Sequence, residues 1–295
     1  MPELPEVETV VRHLRHAVSG ARIIGAWCDT PNILRGTSIA AFTRAIRGAR
    51  IESVERRGKN ILIGLSGDRL LLVHQKMTGH FLIGKWRIGM SSAGRSRAKT
   101  VVKDGPLTES VNQFIHLIFR LEDGRMLGLS DLRKFAKVLL GRREEILALP
   151  ELRKLGPDPF DRRLTPGVLA ARAGKGKRKI KQVLLDQNVI AGIGNIYGDD
   201  ILWRARISPF RPANRVSAKG YAEILKQTRN ILRRSIRLRG ASVSDFRDPS
   251  GESGGYGPVR LAYQRHGTPC PRCGHMFERK TIGSRSAHFC PKCQK

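Results

Sequence analysis

Four of the five cysteines, Cys270, Cys273, Cys290 and Cys293, fall within the last 26 residues with the spacing Cys-x2-Cys-x16-Cys-x2-Cys. Cysteine pairs two residues apart in a reducing compartment read as metal ligands rather than disulfides. Two such knuckles can deliver four thiolates to one tetrahedral Zn2+, with the intervening residues forming a β-hairpin. All four positions are then filled by protein, so the zinc is expected to be structural. A segment this short buries little core, and the metal would supply its folding free energy. The hairpin also carries Arg279, Lys280 and Arg285, which suits a finger laid against a polyanion; a ribbon that only packs or binds protein is the plainer reading. Cys28, alone in an apolar segment, reads as a small core residue.

A second candidate lies at the other end. Removal of the initiator Met before a residue as small as Pro2 is expected and exposes a secondary amine. An α-amino group with a pKa of about 8 is partly unprotonated near neutrality, whereas a lysine amine near 10.4 is almost wholly charged. Such an amine can attack a sugar C1′ and, after ring opening, leave a Schiff base. Glu3 stands beside it, with Glu6 and Glu8 in the following turn, and a carboxylate there can shuttle protons if burial raises its pKa. The plainer reading is that acidic residues near a helix start serve the macrodipole.

These residues must be positioned by a chain of 295 residues, 40% hydrophobic, with 55 Lys and Arg against 25 Asp and Glu, a formal charge of +30. That field attracts polyanions and releases their counterions, which makes nucleic acid the leading partner and acidic membranes a lesser one. The sequence has no apolar run long enough to span a bilayer and no signal-like start; a cytoplasmic protein is expected.

Val7, Val10, Val11, Leu14 and Val18 recur at helical spacing after Pro5, with Gly20 beyond, and predict an opening helix. From about 22 to 141 short β-branched and leucine-rich runs predict a sandwich or barrel of mostly antiparallel strands. Within it, residues 84–112, rich in Gly, Ser, Lys and Arg, are expected to be a long surface loop. The proline-rich PELRKLGPDP suits a linker. Helices are expected over 165–173, 179–186, 195–205 and 217–239. A glycine-rich stretch, 248–257, is expected to be mobile. The fold class is therefore α+β. A leading helix and an antiparallel β-sandwich occupy 1–150, a linker 151–160, a helical domain 161–258 and a zinc ribbon 259–295. The turn Gly192-Ile193-Gly194-Asn195 before a helix could cradle a phosphate with its backbone N–H groups.

The opening MPELPEVETV resembles the N-terminus of the formamidopyrimidine-DNA glycosylases, bacterial enzymes that excise oxidised purines and nick the strand. RRGKNILI, HQKMTGH, SDLRKF, LGPDP, LLDQNVIAGIGNIY and the closing CPRCG with SRSAHFCPKCQ resemble that family's blocks in order along nearly the whole chain. The resemblance implies Pro2 as the Schiff-base nucleophile, Glu3 as the general acid in sugar ring opening, Lys59 in proton transfer during β-elimination and Arg285 in δ-elimination. It implies that Met77, Arg133 and Phe135 fill the space left by a flipped nucleotide, a replacement for lost stacking; read without it, Met77 and Phe135 would be core residues. It implies a helix-two-turn-helix motif in the helical domain, with Asn195, Tyr197 and Lys181 as DNA-backbone contacts, and Lys177 and Lys175 as looser ones.

The sequence departs from the family pattern at several positions. Asp200 stands where glutamate is usual, Gly198 where alanine is, and Leu132 and Lys134 replace a proline and an arginine. Phe114 falls where some relatives have a DNA-contacting histidine, so no role carries over. The implied function is a bifunctional glycosylase and AP lyase acting on 8-oxoguanine and formamidopyrimidines in duplex DNA. It would work as a monomer in the bacterial cytoplasm, associated with the nucleoid when bound, with DNA in the cleft between domains and no cofactor beyond one structural zinc. The rival readings are an endonuclease VIII-like enzyme for oxidised pyrimidines and a noncatalytic DNA-binding homologue.

Overall fold

The computed structural model describes residues 1–90, 96–174, 176–243 and 245–295. The chain divides into two compact units, one of Met1–Arg153 with Leu238–Gly255, the other of Lys154–Arg237 with Tyr256–Lys295. No helix among the described residues is long and apolar enough to cross a membrane.

The first unit opens with α1 (Leu4–Val18), whose valines and leucines fall on one buried face because they repeat every three to four residues. Then follow β1 (Ile23–Cys28), α2 (Ile39–Ile46), β2 (Ile51–Arg57), β3 (Asn60–Leu65), β4 (Arg69–His74), β5 (His80–Gly84), β6 (Trp86–Met90) and β7 (Ser96–Thr100). The run ends with β8 (Ile115–Leu121), β9 (Met126–Ser130), β10 (Lys137–Arg142), α3 (Arg143–Ala148) and α4 (Pro150–Arg153). Two four-stranded sheets, ordered β1-β8-β9-β5 and β10-β4-β3-β2, are antiparallel throughout. Val11 and Leu14 of α1, Phe42 of α2, Ile63 and Val73 of one sheet and Phe81 and Phe119 of the other share one core.

Three expectations need correction here. Residues 84–112 are not one loop: β6 and β7 pair as a hairpin, and short 3-10 turns follow at Pro106–Thr108 and Ser110–Gln113. Among the described residues of the hairpin, Trp86, Ile88 and Ala98 are the apolar side chains packed inward, too thin an apolar signal against its lysines and arginines. The helix α2 interrupts a region read as strands; Ser38 caps it by accepting the Ala41 N–H at 3.2 Å. The third concerns 248–257, which does not continue the helical domain. As far as Gly255 it packs with the first unit, where the Asp248 carboxylate, 2% exposed, accepts the N–H groups of Ser250 and Glu252. Ile83 N–H donates to the Pro249 carbonyl at 2.8 Å and Asn112 Nδ2 to the Gly251 carbonyl at 3.1 Å, so this stretch is held by buried polar groups.

Just after β4, Gln75 is 1% exposed and neither of its amide atoms has a hydrogen-bond partner among the described residues. An orphaned buried polar group costs about 1–3 kcal/mol. Gln75→Leu is therefore expected to stabilise the protein by that order, read as a higher urea midpoint at unchanged m-value; a lower midpoint would show that the amide is satisfied in solution.

The second unit contains α5 (Pro166–Ala173), α6 (Ile180–Leu185), α7 (Asn195–Arg204) and α8 (Ala218–Arg237), then the hairpin β11 (Glu278–Ile282) and β12 (Arg285–Phe289). The expected linker is also revised. From Lys154 onward the chain packs into this unit, with Gly156 N–H donating to Gln187 O and Ala191 N–H to Pro157 O. A Cβ on Gly156 would lie 2.6 Å from the Val189 carbonyl carbon, so only glycine allows this approach. The Arg229 guanidinium donates to the carbonyls of Pro159, Asp161 and Leu164.

Candidate active site and nucleic-acid interface

The N-terminal chemistry assembles within the first unit. Pro2, Glu3 and Glu6 are buried at the start of α1. Glu3 N–H donates to Glu6 Oε2 at 2.7 Å, and Glu6 Oε1 accepts the Ala241 N–H at 2.7 Å. One carboxylate thus ties the helix start to the returning 238–255 segment. Lys59, 6% exposed, occupies the tight β2–β3 connection, where Arg57 pairs with Asn60 and Gly58 takes φ +61, the handedness that such a turn demands. Arg56 Nε, on the same hairpin, bonds Glu8 Oε2 at 2.7 Å, and Arg12 Nε bonds Glu8 Oε1 at 2.8 Å. Burial alone would raise the Glu8 carboxyl, but these two arginines bring it below its usual range. Glu8 is thereby committed as an ion-pair anchor for the Lys59 hairpin.

The N-terminal amine, here carried by Met1, is pulled below its ordinary pKa, chiefly by burial and also by the Lys59 charge; Glu3, Glu6 and Asp245 oppose the shift. Once Met1 is removed, the Pro2 nitrogen becomes the terminus among the same groups. A terminal amine with a lowered pKa, close to two buried acids and a buried lysine, groups the functional types that imine chemistry uses, an amine and proton carriers.

Met77, Arg133 and Phe135 are exposed, Met77 by 39% and Phe135 by 54%. This overturns the core reading of the two apolar side chains and explains why they need a positioning device. Asp131, fully buried, accepts the Thr78 hydroxyl on Oδ1 and the Ala136 N–H on Oδ2, the latter at 2.7 Å. Thr78 Oγ1 in turn accepts the Arg133 N–H at 3.1 Å. The 76–79 and 131–136 turns are therefore stitched together, with Met77 on one and Arg133 and Phe135 on the other. Sequence reasoning passed over Thr78 and Asp131, although both stand inside the motif blocks. Asp131→Ala is expected to leave the Thr78 hydroxyl and the Ala136 N–H unpaired, at about 1–3 kcal/mol for each buried orphan. A lower urea midpoint with faster amide exchange over 133–136 would bear this out; unchanged exchange would show that the turns hold themselves.

In the second unit the predicted backbone contacts separate. Lys177 is exposed, and Lys175 lies outside the described residues. Lys181 is 1% exposed, with its ammonium 2.5 Å from Asp199 Oδ1 and also bonded to the Ser286 carbonyl. Asp199 Oδ2 accepts both the N–H of His288, at 3.0 Å, and its Nδ1, at 2.9 Å. Lys181 therefore joins α6, α7 and β12 through an ammonium already paired within the protein. Tyr197 is likewise fully buried, its hydroxyl 2.6 Å from Ser235 Oγ and its ring 5.3 Å from that of Tyr256; its side chain is core. Gly192, Ile193 and Gly194 are buried, and the Gly192 N–H is taken by Gln187 Oε1 at 2.8 Å, so the turn does not offer an open ring of donors. Asn195 is half-buried, with its Oδ1 unpartnered among the described residues.

The residues at 198 and 200 both make close local contacts. A Cβ on Gly198 would come within 2.9 Å of Leu185 Cδ1. Asp200 accepts the Tyr256 hydroxyl and the N–H groups of Leu261, Ala262 and Tyr263, at 2.7–3.0 Å. The shorter carboxylate anchors the approach to the ribbon.

The sulfurs of Cys270, Cys273, Cys290 and Cys293 all lie within 4.8 Å of one another. Tetrahedral Zn–S bonds of about 2.3 Å put sulfurs about 3.8 Å apart, close to the 3.9 Å of Cys270–Cys293 and the 3.5 Å of Cys273–Cys290. The donor set fits one structural zinc. Trp203 of α7 packs with Ala262 and Phe277 beneath the cysteines, under the Arg272 guanidinium at 4.3 Å. Arg285, exposed at the start of β12, borders a cleft of about 310 Å³ with Arg178, Lys181, Gln182 and Ser284.

Three family models match in succession: the formamidopyrimidine-DNA glycosylase N-terminal domain over 1–138, its H2TH domain over 155–247, and the zinc finger found in FPG and IleRS over 267–295. Formamidopyrimidine-DNA glycosylases of Pelotomaculum thermopropionicum and Herpetosiphon aurantiacus are 37% and 38% identical, the alignments covering all of this chain and 99% and 100% of theirs. The crystal structure of MutM (Fpg) from Thermus thermophilus superposes with a TM-score of 0.80 at 34% identity, covering 99% of this chain and 98% of that one. Lactococcus lactis Fpg bound to DNA containing an abasic site gives 0.84 at 27% identity, with 99% of each chain covered. With matches along its whole length and a zinc ribbon of the same kind, the chain belongs to the formamidopyrimidine-DNA glycosylase family of DNA-repair enzymes.

Proposed function

We propose that the protein is a bifunctional DNA glycosylase and AP lyase that excises oxidised purines, 8-oxoguanine and formamidopyrimidines, from duplex DNA. The observation that carries this reading is the burial of Pro2, Glu3 and Glu6 at the start of α1 and of Lys59 in the same unit, around a terminal amine whose pKa burial lowers. In this mechanism the Pro2 nitrogen attacks C1′ while Glu3 protonates the sugar ring oxygen, and the base departs as the ring opens to an iminium. Loss of a C2′ proton expels the 3′ phosphate (β-elimination), and a second elimination expels the 5′ phosphate (δ), leaving a one-nucleotide gap. Lys59 serves proton transfer and Arg285 the second elimination. Met77, Arg133 and Phe135 occupy the vacated stack. Zinc holds the ribbon and takes no part in bond making. A relative crystallised with Fapy-dG-containing DNA supports the purine substrate.

The test is borohydride trapping on a duplex with one 8-oxoguanine opposite cytosine, comparing wild type with Pro2→Gly. A covalent complex in wild type, lost or strongly reduced in the variant, is expected. Trapping only on an oxidised pyrimidine would favour the endonuclease VIII-like activity, and DNA binding with trapping on neither would make the protein a noncatalytic homologue.

A further inference from the structure

We propose that the β6–β7 hairpin of the first unit is an additional, sequence-independent contact for the sugar–phosphate backbone of duplex DNA, separate from the residues assigned to lesion chemistry. The inference rests on the reading of the chain as a DNA enzyme. The hairpin is two-faced. Trp86, Ile88 and Ala98 turn inward onto Leu82, Ile115 and Ile118 of the β5 and β8 strands, a cluster distinct from the main core, and Trp27 Nε1 fastens it by donating to Ser96 Oγ at 3.0 Å.

Its other face is cationic. Arg87 lies directly opposite Lys99 in the ladder, and Arg97 opposite Gly89; all three cations are exposed, as are Lys85 and Lys103 at the base. No Asp or Glu occurs between residues 84 and 103, and none of these five side chains forms an ion pair among the described residues. Like charges directly opposite across a ladder oppose strand pairing, so the Arg87–Lys99 pair does nothing for the hairpin's own stability. An external anion would turn that repulsion into a binding determinant.

A duplex suits the arrangement. The charges occupy alternate rungs, and so one face, of a narrow antiparallel ribbon, a shape that a DNA groove admits. Gly89, whose Cβ position is empty of neighbours, lets a backbone approach closely between Arg87 and Arg97. Each phosphate neutralised releases counterions and steepens the salt dependence of binding. An anionic membrane is the rival partner, because Met90 and Val101 are exposed alongside.

The experiment measures affinity for an undamaged duplex against salt for wild type and the triple variant R87Q/R97Q/K99Q. The log–log slope is expected to become shallower by about 2–3, the loss of up to three phosphate contacts. Lys99→Glu separates binding from folding: it creates an opposite-charge rung with Arg87, so the melting temperature holds or rises while DNA affinity falls about tenfold. In the wild type, saturating duplex should protect Lys99 from acetylation, a readout that needs no variant to fold. An unchanged slope with Lys99 equally reactive in bound and free protein would overturn the inference. So would an unchanged slope accompanied by hairpin-dependent binding to phosphatidylserine vesicles. Borohydride trapping of wild type on a lesion duplex, run in parallel, reports on the catalytic reading alone.

Discussion

Glu3→Gln is expected to slow base excision from an 8-oxoguanine duplex by about 10²–10⁴-fold, the range a positioned general acid supplies, while a pre-formed abasic site still yields a trapped complex. The asymmetry follows from the chemistry. An intact nucleoside must have its ring oxygen protonated before C1′ can become an iminium, whereas an abasic sugar already equilibrates with its open aldehyde. Glu3 is the buried carboxylate nearest the terminus in sequence, and Glu6 cannot replace it because its two oxygens already accept Glu3 N–H and Ala241 N–H. The substitution keeps the side chain's length and hydrogen-bonding capacity, so the start of α1 stays folded. Single-turnover excision and trapping on the two substrates measure the effect. Equal loss on both would assign Glu3 to holding the amine rather than to ring opening.

Removal of zinc has the second large effect. The ribbon buries only a thin set of side chains, Phe277, Ile282, Ala287, His288, Phe289 and Gln294 with Cys270 and Cys290, so its order depends on a metal-binding free energy of about 10–16 kcal/mol at neutral pH. Chelation, or Cys290→Ser, is expected to unfold residues 267–295 and expose the β11–β12 amides to exchange. Arg285 is lost with them, so δ-elimination products fall before β-elimination products do. The first unit, with a separate core, keeps its near-UV signal. Metal analysis should give one zinc per active chain, and full δ-elimination in metal-free protein would contradict this dependence.

Much of the site was legible because its signals are local. Helical spacing of valines marks α1, the two-residue cysteine spacing marks the knuckles, and the four helices of the second unit lie within a few residues of where periodicity puts them. The hairpin β6–β7 was not legible, because only alternate residues on one face are apolar and the sheet they cover is built from β8, further along the chain, as well as from β5. The return of 238–255 to the first unit was hidden for a similar reason: it depends on Glu6 reaching Ala241 and on Asn112 reaching Gly251, pairings that no local pattern encodes.

Chemical identity was thus written in the sequence: an amine at the terminus, an acid beside it, four thiolates at fixed spacing and a strong positive charge depend on residue type and on neighbours along the chain. Which charges are available was decided by tertiary packing. Lys177 and Lys181 look alike as letters, yet one is solvated while the other is buried against Asp199. Met77 and Phe135 look like core residues, yet the turns built on Asp131 hold them in solvent. Burial and hydrogen-bond satisfaction belong to groups brought together from distant positions, and the free energy of a charge or an apolar surface is set by those neighbours, which only the folded chain supplies.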